Sequence, residues 1–135
     1  MTCTRTFTTL RIFSEDISPE RISDILGVEA TKVFPIDTDS KSRSRRETNL
    51  WKWCTEEHLD SSDNLKHIWV VLNLLKGKVE QLDQLRSKGC KIDLVNFWDS
   101  SGQGGPSLDL TTMSALIRLG LEILWDVYFD HETET

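Results

Sequence analysis

Apolar and polar positions change period several times along this chain, and each change marks an element. In "TFTTLRIFS", residues 6–14, Thr, Phe, Leu and Ile crowd one stretch and predict a strand. A short helix follows in "DISPERISDILG". Ser18 is its N-cap, and Pro19 takes the first helical position, where a missing N–H costs nothing. Ile17 and Ile22 can close a hydrophobic staple across that cap. Ile22, Ile25 and Leu26 share one face, and Gly27 ends the helix. "VEATKVFPI" is the next extended segment, with Pro35 near its end. "DTDSKSRSRRETN" has no apolar residue and predicts a loop or a hairpin connection. "LWKWCTEE" then reads as a strand, with Trp51 and Trp53 on one face and Leu50, Lys52 and Cys54 on the other.

Between Ser61 and Lys88 the period becomes helical. Leu65, Ile68, Trp69, Leu72, Leu75, Val79, Leu82 and Leu85 recur in steps of three and four. Gly77 interrupts this face and predicts a break between two helices. Gly89 supplies the cap behind Arg86 and Lys88. "CKIDLVNFWDS" returns to strand alternation, "SGQGGPS" is a connecting loop, and Asp109 caps a helix carrying Met113, Leu116, Ile117 and Leu119, closed by Gly120. "LEILWDVYFD" is the last strand, with Leu121, Ile123, Trp125, Val127 and Phe129 on one face and Glu122, Leu124, Asp126 and Tyr128 on the other. The acidic tail, 130–135, is expected to fray. The order β-α-β-β-α(α)-β-α-β predicts a single two-layer α+β domain over 1–135, with its core in about 6–129. Its sheet has about five strands, mainly antiparallel, with helices on one face. The first six elements suit a split β-α-β unit of ferredoxin-like type.

Composition agrees with a folded domain: 135 residues, 38% hydrophobic and 28% charged. The net charge of −6 disfavours general nucleic-acid binding and suits a basic partner. Three widely spaced cysteines, with no CxxC pair, make a disulfide framework or zinc knuckle improbable. No apolar run approaches the roughly 20 residues of a membrane helix. The first ten residues lack the apolar core of a signal peptide, so a cytoplasmic location is expected.

"NLWKWCTEEH", residues 49–58, is the densest run of reactive side chains. A nucleophilic pair would need Cys54 to meet His58, yet four extended residues separate them by roughly 13 Å. His67 is a second base for Cys54 with no better constraint. The histidines form no HxH or HExxH spacing, so no metal site is assigned. Trp51 and Trp53 alternate as base-stacking aromatics do, with Trp98 and Trp125 available to join them, but the reading favours large core residues. "KSRSRR" is the one basic cluster, and Lys41, Arg43, Arg45 and Arg46 are its candidate ligands for phosphates or an acidic partner. The loop 101–107 lacks the spacing of a phosphate-binding loop. Asp93, Asp99, Asp126 and Asp130 stand on the last two strands without any sign of a catalytic pair. No catalytic residue and no cofactor is assigned, and an enzyme is not expected.

"LRIFSEDISPERISDILGVEATKVF", "LWKWCTEEH" and "LDLTTMSALIRLGLEILWDVYF" together resemble the bacterial domain-of-unknown-function 4279 family. The matching positions are Ile17, Pro19, Ile22, Leu26, Gly27, Trp51, His58, Leu119, Gly120, Asp126 and Tyr128, over roughly residues 10 to 129. The specificity lies in their order. This resemblance implies no catalytic residues. It implies an immunity protein that binds and neutralises a cognate bacterial toxin, with nucleases among such toxins. The basic loop and the Trp98 region are not part of the family pattern. The candidate partner-binding residues are Glu56, Glu57, Asp60, Asp99, Asp126 and Tyr128. The alternative is a ligand- or RNA-binding domain using Arg43, Arg45, Arg46, Trp51 and Trp53.

Overall fold

The strand β1, Cys3–Ser14, is the one around which the others are laid. The computed structural model describes residues 3–102 and 104–129. β1 is flanked on both sides by antiparallel neighbours, β3 (Asn49–Cys54) and β4 (Lys91–Ser100). β2 (Lys32–Phe34) extends the sheet outside β3, and β5 (Glu122–Phe129) outside β4. The order is β2-β3-β1-β4-β5. Its first four strands have the neighbours of a split β-α-β unit of ferredoxin-like type. β5 runs parallel to β4, so the sheet is mixed though mostly antiparallel. That parallel pair requires a crossover, and the helix α5 (Leu110–Leu119) supplies it.

The other helices are α1 (Pro19–Leu26), α2 (Arg43–Glu47), α3 (Asn64–Leu74) and α4 (Val79–Ser87). Their ends follow the local chemistry. The Ser18 hydroxyl accepts from the Arg21 N–H, and the Asp109 carboxylate from the Thr112 N–H. Gly27 and Gly120 close α1 and α5 in the left-handed conformation. At Gly120 an added Cβ would also meet the Arg86 guanidinium at 3.2 Å. That guanidinium is itself a second cap for α5, donating to the carbonyls of Leu119 and Gly120. The break at Gly77 separates α3 from α4.

β1 turns Leu10 and Ile12 toward the helices, β3 turns Trp51 and Trp53, and β4 turns Ile92 and Leu94. Ile22, Leu26, Ile68, Val71, Leu82 and Leu85 meet them from α1, α3 and α4. Fully burying each such side chain stabilises the fold by roughly 1.5–3 kcal/mol.

Two local readings change. The stretch 37–49, expected as a loop or a hairpin connection, holds α2. It has no apolar face, and its arginines hold it in place. Arg45 donates to the carbonyls of Phe34 and Pro35, its own carbonyl accepts from the Asp37 N–H, and Arg43 pairs with Glu47 one turn on. β2 is only three residues long because Pro35 has no N–H to continue the ladder. The fraying expected of 130–135 lies outside the described residues.

Candidate functional site

The helices cover one face of the sheet. On the other face, Glu56 reaches Arg5 from the turn after β3, and Arg45 of α2 reaches over Phe34. Strand register arranges this open face in rows. Arg5, Asp99 and Tyr128 form one, and Phe7, Phe97 and Asp126 the next. Thr9, Val95 and Leu124 form a row of smaller side chains, with Cys54 at its β3 end. Lys32, Lys52, Arg11, Asp93 and Glu122 follow. Phe7 stacks on Phe97 with ring centroids 4.7 Å apart, and Tyr128 leans on Phe97 at 5.4 Å.

Four of the six expected partner-binding residues therefore gather at one end of this face. Asp99 and Tyr128 are cross-strand neighbours, and Asp126 is one row away. Glu56 joins them by its ion pair with Arg5, which sits opposite Asp99. Hydrogen bonding to Asp126, together with that carboxylate's charge, pushes the Tyr128 phenol above its ordinary range. Asp60 lines a polar cleft of about 640 Å³ beside Arg5 and Glu56. Glu57 is exposed on the 3-10 turn Thr55–Glu57.

The turn carrying Glu56 and Glu57 is held from beneath. The Thr55 hydroxyl accepts from the Thr8 N–H at 2.9 Å and lies 2.6 Å from His67 Nδ1. The other ring nitrogen, Nε2, is 2.9 Å from the Ser61 carbonyl, which can only accept. His67 therefore carries its proton on Nε2, and Thr55 donates to Nδ1. Nearby, Asn64 donates to Asn96 and to the Ser107 carbonyl, pinning the loop ahead of α5. Sequence reading missed this buried polar seam. Its signal was present in Thr6, Thr8 and Asn96, polar residues alternating into an otherwise apolar face.

β5 is the outermost strand, and its apolar side chains are not buried. Leu124 is 44% exposed, Trp125 41%, Tyr128 50% and Phe129 44%. The sequence pattern correctly separated its two faces but did not show that both meet solvent.

The alternative ligand site is not assembled as expected. Trp51 is fully buried, with its indole N–H on the Ser23 hydroxyl, and Trp53 is 8% exposed. A base cannot stack on either without opening the core. Arg43 pairs with Glu47, and Arg46 donates to the Ser40 carbonyl. Only Arg45 reaches the open face, at 4.9 Å from the Phe34 ring.

Neither imidazole engages Cys54. His58 stacks on Trp53 at 4.6 Å, on the opposite side of β3, and both nitrogens of His67 are occupied. Burial pushes the Cys3 and Cys90 thiols above their ordinary range. Among the described residues no three His, Cys, Asp or Glu side chains gather as metal ligands, and no helix is long and apolar enough to cross a membrane.

These elements define a class: a two-layer α+β domain with a split β-α-β core, lengthened by one parallel edge strand. The chain belongs to the family described as Domain of unknown function (DUF4279), whose model matches residues 3–130. No curated protein and no solved structure matches it.

Proposed function

We propose that this chain is a non-catalytic, protein-binding inhibitor of the immunity type, which docks a basic toxin domain in the cytoplasm through β5 and the acidic end of the open face. The observation that carries the binding role is the β5 edge. Edge strands are ordinarily blunted by charged side chains, Pro, a bulge or a covering loop, and of these β5 itself carries only the carboxylates Glu122 and Asp126. The eight residues of β5 contain no Lys, Pro or Gly. Among the described residues their outer edge has no neighbouring strand, and four large apolar side chains of β5 lie exposed. Such a strand suits pairing with a partner segment or burial beneath one.

Charge narrows the partner. Glu122 and Asp126 flank Leu124 on one face of β5, and Asp99 lies alongside. An acidic surface on a chain of net charge −6 speeds encounter with a basic domain and discourages acidic ones. The toxin as target rests on the sequence resemblance described above.

Co-expression with the toxin encoded beside this gene tests the reading. The expected result is rescue of growth and a complex that survives purification. Trp125→Ala combined with Asp126→Lys is expected to remove both while leaving the fold intact. Failure of every neighbouring toxin to be bound or neutralised would sink the immunity role. Full binding by the β5 variant would move the interface elsewhere.

A further inference from the structure

The two edges of the sheet are unlike. β2 is three residues long, carries Lys32 and is followed by Pro35, which cannot extend a ladder. β5 runs for eight residues with no register shift against β4. Among the described residues no strand pairs with its outer edge, which leaves a row of N–H and C=O groups facing outward. Its side chains alternate between two surfaces. Glu122, Leu124, Asp126 and Tyr128 lie on the open face, and Ile123, Trp125, Val127 and Phe129 on the helix side. Trp125 is 41% exposed even there.

Two identical strands paired antiparallel are related by a two-fold axis perpendicular to the sheet, and the side chains that oppose each other lie on one face. Each register is then defined by the residue that faces its own copy. Centred on Asp126, the pairing sets two carboxylates against each other. Centred on Leu124, it sets Glu122 against Asp126. Both place like charges directly opposite, which destabilises a ladder. Centred on Val127, it joins only residues 125–129 of the strand. Centred on Trp125, it joins residues 122–128, and no carboxylates meet. Glu122 then lies opposite Tyr128, whose phenol can donate to it, and Asp126 opposite Leu124. On the helix side Ile123 meets Val127 and Trp125 meets Trp125. Aromatic and β-branched pairs of this kind stabilise a ladder.

We propose that β5 pairs antiparallel with β5 of a second copy of this chain, Trp125 against Trp125, and joins the two sheets into one. The strand is complementary to itself in this register and repels itself in the two adjacent ones, so the pairing is closed and specific. Self-pairing rests on the reading of β5 as the docking strand and adds its regulation. In the free chain the second copy covers the edge that a basic toxin takes, and the toxin displaces it.

The experiment is sedimentation equilibrium of the full chain alone, with far-UV circular dichroism of each variant as the check on folding. The parent is expected to be a dimer in reversible exchange with monomer. Trp125→Lys sets two cations face to face and is expected to weaken the dimer about tenfold or more. Trp125→Glu does the same with two carboxylates. Mixed together, the two variants are expected to recover a heterodimer, which misfolded or merely less apolar chains would not form. Leu124→Lys removes an apolar side chain of similar exposure, 44% against 41%, but faces Asp126 of the second copy. It is expected to leave the dimer at least as tight as the parent. A monomeric parent, no weakening in Trp125→Lys, a mixture that stays monomeric, or a Leu124→Lys dimer as weak as that of Trp125→Lys overturns the proposal. No toxin is present, so a monomeric chain overturns the self-pairing alone and leaves the docking role to the co-expression result.

Discussion

Arg11 and Asp93 face each other across the β1–β4 ladder and are joined by two parallel hydrogen bonds of 2.8 Å. The carboxylate is nearly buried, and the guanidinium remains about a quarter exposed (27%). Asp93 lies on the open face but has lost its water to the fork of Arg11. Arg11→Ala leaves that charge buried and unpaired. The expected loss is about 1–3 kcal/mol, below the figure for a fully buried pair because solvent reaches the arginine. Replacing both residues by apolar ones is expected to recover much of it. Urea midpoints of the single and double variants measure the coupling. Additive single effects would show that the pair contributes nothing beyond its separate contacts.

Trp51 joins the sheet to α1 through packing and one hydrogen bond, 2.9 Å from its indole N–H to the Ser23 hydroxyl. Trp51→Ala is expected to cost about 3–5 kcal/mol through the cavity it leaves. Ser23→Ala should cost about 1–3 kcal/mol by orphaning the indole N–H. Chemical denaturation of both variants checks the order. A Ser23→Ala protein as stable as the parent would mean that water replaces the hydroxyl.

The relay from Thr8 N–H through Thr55 to His67 makes the imidazole tautomer a testable quantity. Long-range ¹⁵N–¹H correlation is expected to show the His67 proton on Nε2. Thr55→Val removes the donor to Nδ1 and the acceptor for Thr8, at an expected cost of about 1–3 kcal/mol. It should also loosen the turn that carries Glu56. A proton found on Nδ1 would contradict the geometry.

Asp109 gives one pH dependence with a definite sign. The side-chain and backbone hydrogen bonds from Thr112 hold its carboxyl below the ordinary value of 3.8. The folded chain therefore prefers the charged form. Its contribution is complete above the ordinary value and is lost as pH falls through the lowered one. Asp109→Asn keeps an acceptor at the cap without titrating. The stability difference between parent and variant is thus expected to change only in that acid window. Paired denaturation curves at neutral and acid pH measure it. A difference that stays constant across the window would remove the linkage.

The helices were legible because their signals are local. Ser18 with Pro19, the Asp109 cap, and the glycines at 27, 77 and 120 act through their own backbone or within one helical turn. Most strands were legible for the same reason. α2 was not, because what holds it lies outside any apolar pattern: Arg45 on the carbonyls of Phe34, the last residue of β2, and of Pro35 just after it. The candidate site was legible only in pieces. Asp99, Asp126 and Tyr128 stood out as polar positions on the last two strands, but nothing in their spacing joined them to Glu56. That link runs through Arg5, fifty-one positions away from Glu56 in sequence.

β1 shows where the boundary lies. One of its faces reads Thr6, Thr8, Leu10, Ile12 and Ser14, the other Arg5, Phe7, Thr9, Arg11 and Phe13. Each is part apolar and part polar, so alternation alone does not choose the buried one. By itself the sequence determined where elements start and stop, which residues share a face, and that the tryptophans of β3 act together. Tertiary structure decided which face the helices cover, that β5 returns parallel and ends the sheet, and that Lys32, Lys52 and Arg11 meet in one row. The physical reason is range. Caps and periodicity depend on neighbours within a turn or two, whereas strand register and burial depend on contacts made between distant parts of the chain as the whole sheet forms.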